Sequence, residues 1–437
     1  MTHLDHGELK EFSSSYSERI IQFKEYKENP LVVLFREIIH TAHYQWLWSE
    51  AVKYYWGRHN DRVGGNIREK IKLHVWRMFG IFFAFRPMLR FGTKIERWLS
   101  WKLRPTRYFD DLFNELNSDL VFNCSHIHGT KADLPMRVAA GMGIPTAVFI
   151  FSWDNLTSRS RIFPPYDHYL LWNKKMADQL IELYSPEINI DQVHITGSPQ
   201  FDFHFNPKFY WEKQKLYNEI GLDINRPYIL YTTGMASDFH NENSIVEKVI
   251  KFIKELEIKI RPQIVIRTYI KGTSKEMLLL ADKYKNDSDV FFPPILWDPI
   301  WVMPLNHDLY VYTNLIRYTD LGINAASTVS LELMMFKKIV INIGFEPPGS
   351  DLPDWCKFSR HVDYDHYRPL VISGGVIVAK SIKELNNYIF QSLGKPNKNK
   401  SQQEGFIAEF FDKKIDRSSA SRMAEVLSSI SKADNSV

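Results

Sequence analysis

Residues 146–155 read TAVFIFSWDN, an apolar run that ends on a carboxylate and an amide. The β-branched and aromatic side chains from Thr146 to Phe151 suit a strand buried on both faces, as in a parallel sheet. Asp154 and Asn155 then fall just past its carboxyl end, where open α/β sheets bind their ligands. Two more short apolar runs follow, HYLLWN at 168–173 and VHITGSPQFD at 193–202. Between them, residues 174–184 place Leu180, Ile181 and Tyr184 on one helical face. Upstream lie a strand over 119–124, the polar loop SHIHGTKAD, a helix over 134–142 and the turn Gly143-Ile144-Pro145. Strands and helices in alternation mean βαβ units and a parallel sheet. Three strand ends converge on one edge, which becomes the first wall of a candidate site.

A polar, aromatic-rich linker over 205–225 leads into a second alternation. Its strand at 228–232 opens the loop TTGMASDFHNEN, and a helix over 244–258 and a strand over 263–267 follow. Further strands are expected at 290–292, 309–312, around 322–324, and at 339–343, with a short helix over 328–336 capped by Ser327. The fold class is therefore α/β: two Rossmann-like doubly wound domains facing a cleft, with an N-terminal helical insertion. The expected division is 1–110 helical, 111–205 the first Rossmann-like domain, 206–395 the second, and 396–437 a linker and C-terminal helix. At 437 residues the chain is too long for one ordinary core, in keeping with this division.

Lys and Arg number 55 against 51 Asp and Glu, too even a balance to mark a nucleic-acid binder. The distribution is less even: residues 66–107 carry eleven Lys or Arg and two acids, a local charge of +9. Six of the twelve Trp also fall before residue 102. Helices are expected over 31–55, 67–85 and 88–103. Arg86, Arg90, Arg97, Trp98, Trp101 and Lys102 form the basic and aromatic composition of a segment that lies on an anionic membrane surface. Two distant cysteines, Cys124 and Cys356, indicate a reducing compartment, and no run is long and apolar enough to span a bilayer. The N-terminus has no signal-peptide core, so the expected location is the cytoplasm, peripheral at the inner face of the membrane.

In the second half, Ser327 and Thr328 open a helix after a strand, where N–H groups and the helix dipole favour a diphosphate. Thr233 and Gly234 allow a ligand close to the backbone. In the first half, Asp154 is the candidate general base. There is no P-loop, no GxSxG and no zinc motif, and Asp363-Tyr364-Asp365 is read as a loop.

SWDNLTS, YLLWNKKM, VHITGSPQFD and INAASTVSLELMMFKKIVINIGF together resemble the GT-B glycosyltransferases of bacterial surface polysaccharide assembly, near the capsule and CDP-glycerol glycerophosphotransferase branch and the sugar-nucleotide epimerases of the same fold. The resemblance covers about residues 119–393. It implies an inverting transfer from a nucleotide-sugar donor to a lipid-linked or polymeric glycan, with no metal or other cofactor. It also implies that Glu332 holds the donor ribose and that Arg267 and Lys271 grip phosphate, although Thr268, Tyr269 and Ile270 stand where the family more often has Pro-His-Pro. His128, in HIHGT, resembles a His-Gly-Thr element that supplies a base, and competes with Asp154. A 2-epimerase and a non-catalytic scaffold module are the alternative readings.

Overall fold

The computed structural model describes residues 24–126, 132–269, 272–298, 303–412, 416 and 418–433. Among the described residues five helices come first: α1 (Pro30–Leu47), α2 (Glu50–Val63), α3 (Ile67–Phe83), α4 (Arg86–Lys102) and α5 (Tyr108–Leu116). Asn29, Ser49 and Asn66 accept N–H bonds from the first turns of α1, α2 and α3, as good N-caps do. The pattern over 31–55 suggests one helix. The chain instead breaks at Trp48, left-handed at φ 38°, which frees Ser49 to cap α2.

The first sheet is built by β1 (Val121–Asn123), α6 (Asp133–Gly141), β2 (Thr146–Phe149), α7 (Asn155–Ser158), β3 (His168–Leu171), α8 (Lys174–Tyr184) and β4 (Val193–Ile195). Its four strands are parallel and lie in chain order, β1-β2-β3-β4. Val148, Ile150, Leu170 and Trp172 are fully buried, as a strand run without polar alternation requires.

The segment expected as a linker contains α9 (Lys213–Ile220). The second half follows as β5 (Tyr228–Thr232), α10 (Glu242–Glu255), β6 (Gln263–Arg267), α11 (Lys275–Lys283), β7 (Val290–Phe291), a small antiparallel pair β8 (Trp297–Asp298) and β9 (Met303–Pro304), and α12 (Asn306–Tyr318). It continues with β10 (Leu321–Asn324), α13 (Val329–Met335), β11 (Ile339–Ile343), α14 (Arg368–Ile372), β12 (Ile377–Ala379), α15 (Ile382–Ser392), α16 (Lys400–Phe410) and α17 (Ser419–Ala433). The second sheet is parallel throughout, in the order β12-β11-β10-β5-β6-β7. The chain builds outward from β5 to β7, crosses back to β10, and builds outward again to β12. That reversal is the doubly wound order, and its ligand crevice opens at the carboxyl ends of the two central strands. Here those strands are β5 and β10.

The expected strand at 309–312 is helical, inside α12. Asp308, Val311, Leu315 and Ile316 are buried at the spacing of one helical face. An apolar run of about four residues is too short to reveal that period. At the C-terminus α17 returns to the first half, where the Asp202 carboxylate accepts the N–H groups of Ser419 (3.2 Å) and Ala420 (2.8 Å). Among the described residues no helix is long and apolar enough to cross a membrane.

Candidate site in the cleft between the sheets

The two walls meet at Trp153, just beyond β2. Its indole N–H donates to Thr328 Oγ1 (3.2 Å), immediately before α13. The same ring stands edge-on to His366 (5.1 Å between centroids) and to Phe410 (5.3 Å). The carboxyl end of β2 therefore faces the carboxyl end of β10.

Local chemistry shapes the β10 end. Asn324 Oδ1 accepts from Ser327 N–H (3.0 Å), Ser330 Oγ (3.1 Å) and Asn342 Nδ2 (3.1 Å), and the Tyr367 hydroxyl lies 2.7 Å from Ser330 Oγ. The loop turns through Ala326 at φ 52°, a left-handed conformation that costs a residue with a Cβ about 1–2 kcal/mol and is held by these bonds. Ser327 is not the N-cap that the sequence suggests. Thr328 occupies that position, and neither side chain caps α13, because Ser327 Oγ turns to Asn324 (3.3 Å) while Thr328 Oγ1 takes the Trp153 bond.

Asp154 is half-buried at the start of α7. Ser158 Oγ donates to its Oδ2 (2.7 Å), and Asn155 Nδ2 lies 3.3 Å from its Oδ1. Burial acts to raise its pKa, but His366, the Ser152 and Ser158 hydrogen bonds and Arg159 outweigh that, and the group sits below the ordinary carboxylate value. The result is an ionised carboxylate held by its neighbours on α7. His366 is itself pulled down by burial, against the opposing pull of Asp154 and Asp365. Asp365, of the DxD-like triplet, accepts the Glu50 N–H (2.8 Å) at the start of α2. His128 and Lys271 lie outside the described residues.

Arg267, at the end of β6, and Glu332, in α13, share one neighbour. The Tyr312 hydroxyl donates to Glu332, and the Arg267 guanidinium lies 4.8 Å over the Tyr312 ring. Arg267 Nη2 pairs with Asp308 (2.5 Å), which also accepts from Trp297 Nε1 (2.8 Å) and the Leu296 N–H (3.1 Å). Arg267 Nη1 is buried with no hydrogen-bond partner among the described residues. His204 Nε2 lies 3.3 Å from Glu332 Oε1 without hydrogen-bond geometry. Tyr312, His204 and Asp308 carry no motif that marks them in the sequence. Trp153 sits in SWDNLTS, and its aromatic ring between polar residues is the signal to read, whereas His366 directly follows the Asp363-Tyr364-Asp365 loop.

At the β5 end, the Thr233 N–H donates to Arg267 O (3.0 Å) and its Oγ1 accepts the Tyr269 N–H (2.9 Å). Gly234 donates to Glu242 Oε2 (2.9 Å), and a Cβ at Gly234 would meet the Phe239 ring at 2.0 Å. The glycine is thus needed for packing. Glu242 is buried and also accepts from the Tyr231 hydroxyl (3.1 Å), and burial raises its pKa to about 7.

The basic and aromatic residues of α4 divide. Arg86, Trp98 and Lys102 are exposed, whereas Arg97 donates to Phe163 O (2.6 Å) and Trp101 packs against Gly141 with Arg104 stacked on it at 4.4 Å. Arg90 is half-buried, with its Nε 3.3 Å from Arg86 O.

The site is that of a two-sheet α/β protein with a crevice at the switch point of the second sheet. No protein-family model matches the chain, and no curated protein matches it in sequence. Among solved structures, it is similar to a UDP-GlcNAc 2-epimerase from Neisseria meningitidis bound to UDP-GlcNAc, at 14% identity and a TM-score of 0.48 over 79% of this chain and 82% of that one. It is also similar to a glycosyltransferase from Rickettsia africae (14%, 0.45, over 74% and 80%) and to MurG of Acinetobacter baumannii (11%, 0.39, over 74% and 77%). At such identities and scores the functional reading rests on the site itself.

Proposed function

We propose that the chain is a glycosyltransferase. It moves a sugar from a nucleotide-sugar donor to a lipid-linked or polymeric glycan acceptor, by inverting, metal-independent displacement in the cleft, at the inner face of the cytoplasmic membrane. The Trp153–Thr328 bond carries this reading, because it sets a carboxylate-bearing strand end against the crevice of a doubly wound sheet. The acceptor oxygen attacks the anomeric carbon, the bond from that carbon to the leaving phosphate oxygen breaks, and the acceptor proton passes to Asp154. On the donor side Glu332 takes the ribose hydroxyls, and Arg267, whose buried Nη1 has no hydrogen-bond partner among the described residues, supplies the positive charge for the departing phosphates.

Incubation with UDP-, GDP-, CMP- and CDP-linked sugars, with and without glycan acceptors, tests the proposal by measuring released nucleotide. One donor should be cleaved in an acceptor-dependent way, and Asp154→Asn should slow that step by at least about 100-fold. A wild-type protein that cleaves none of them, or an Asn variant at full rate, overturns it. Epimerised donor without nucleotide release would replace it with the epimerase reading.

A further inference from the structure

The N-terminal helices leave one face of α3 uncovered. Ile67, Ile71, Met78 and Phe82 are 71%, 58%, 55% and 66% exposed. At about 100° per residue, these four and Val75 fall within an arc of about 80°. A helix of a soluble domain normally turns such a stripe inward. In α3 the buried side is Leu73 and Gly80 instead, with Gly80 held so closely against Ala42 and Thr41 of α1 that a Cβ would sit 3.2–3.3 Å from them. Ile67, Ile71, Val75 and Met78 of the stripe, with Lys70 and His74, line an open groove of about 450 Å³. Exposed cations flank it, Lys70 on one side and Arg68 and Lys72 on the other. Phe85, 50% exposed, continues the stripe beyond the helix.

We propose that α3 is an in-plane membrane anchor. Its stripe sinks into the headgroup and acyl boundary of an anionic lipid surface while Arg68, Lys70 and Lys72 meet the lipid phosphates. The inference rests on the membrane-surface reading above and deepens it by moving the contact from α4 to α3, since Arg97 and Trp101 of α4 are engaged inside the protein. The 17 residues of α3 span about 25 Å along the surface. Charge selects lipid over a second copy of the chain. Two such stripes packed face to face would bring their cationic flanks together, whereas anionic headgroups complement them.

The full-length protein, without nucleotide, is sedimented with phosphatidylglycerol–phosphatidylcholine vesicles and with phosphatidylcholine vesicles alone. Wild type should pellet with the anionic vesicles, and the triple variant Ile71→Glu, Met78→Glu, Phe82→Glu should lose at least about tenfold in partitioning. Replacing Arg68, Lys70 and Lys72 by Gln should weaken binding and flatten its salt dependence. Arg86→Gln with Lys102→Gln should matter less. A Met78→Ser, Phe82→Ser variant keeps the test alive if the glutamates impair folding. Triple-variant binding equal to wild type overturns the proposal, as does a wild-type dimer in size-exclusion chromatography that the triple variant dissolves. Nucleotide release with a water-soluble acceptor is read in parallel without vesicles, so loss of docking and loss of transferase activity are scored separately.

Discussion

Glu242→Gln isolates one buried acid at the mouth of the second sheet. The Glu242 carboxyl holds the Gly234 N–H and the Tyr231 hydroxyl, and burial raises its pKa from 4.5 to about 7. A raised acid binds its proton more tightly folded than unfolded. Its contribution to stability is therefore fully present below pH 4.5 and is lost as the pH rises through about 7. At about 1.4 kcal/mol for each pH unit between those values, the loss is about 3 kcal/mol. Gln offers the same acceptor oxygen to Gly234 and does not titrate. The stability of Glu242→Gln relative to wild type should therefore rise by about 3 kcal/mol between pH 4.5 and 8, or about 6–12 °C in Tm for a unit of 150–250 residues. Thermal melts of both proteins across that range, monitored by circular dichroism, read the difference directly, because every other titrating group is common to the two. Parallel Tm curves would show that Glu242 ionises in the fold as easily as in water, and the burial argument for this loop would fail.

Two further outcomes follow from named contacts. His361 is buried against Phe239 (4.5 Å), and burial, with His366 and Arg360, lowers its pKa to about 3; stability tied to its neutral form is present above pH 6.5 and lost on acidification, roughly 2–3 kcal/mol by pH 4.5. His361→Phe should remove that part of the acid sensitivity in urea melts, and an unchanged acid slope would exclude His361 as its source. Trp153→Phe keeps a ring against His366 but loses the Thr328 bond, worth about 1 kcal/mol, so kcat/KM for donor cleavage should fall about fivefold, and an unchanged value would detach that bond from turnover.

The strands at 228–232, 263–267 and 339–343 and the helix at 174–184 stand where the residue pattern puts them. Each is a mainly apolar run or a clean 3.6-residue period between polar or Gly and Pro boundaries, so local chemistry alone marks it. The parallel α/β class follows from their alternation. What is not legible depends on contacts made across the fold. Arg267 and Glu332 meet only through Tyr312, which sits in a helix that the pattern takes for a strand. Ser327 looks like an N-cap because its neighbours suit one, but Asn324 reaches back and claims it. The break at Trp48 needs one left-handed residue, which aromatic periodicity hides. For α4, charge and Trp content do not distinguish side chains that face solvent from those engaged inside, and only packing separates Trp98 from Trp101.

That hidden break at Trp48 also decides what the N-terminal helices do. It separates α2 from α1 and lets α2 bridge the two halves. On the side of the first sheet, Ser49 Oγ donates to Thr157 O (2.5 Å) and Arg159 stacks on Tyr55 at 4.8 Å. On the other side, the Glu50 N–H donates to Asp365, Arg360 pairs with Glu50 (2.9 Å), Arg58 pairs with Asp238 (2.9 Å), and Trp355 donates to Asp61 (2.6 Å). Trp355 can lie there because residue 57 is glycine, where a Cβ would come within 2.2 Å of it. Asp365 at the positive end of α2 is a dipole contact. Apart from the buried Ser49–Thr157 bond, the bonds across α2 are partly exposed and each contributes about 1 kcal/mol or less, so the helix biases the two walls toward each other without locking them. α3 follows directly through Gly64-Gly65, with Gly64 at φ 49°. The helix that grips both halves and the helix that presents the apolar stripe are thus consecutive. A surface that captures α3 therefore bears directly on the helix that biases the cleft.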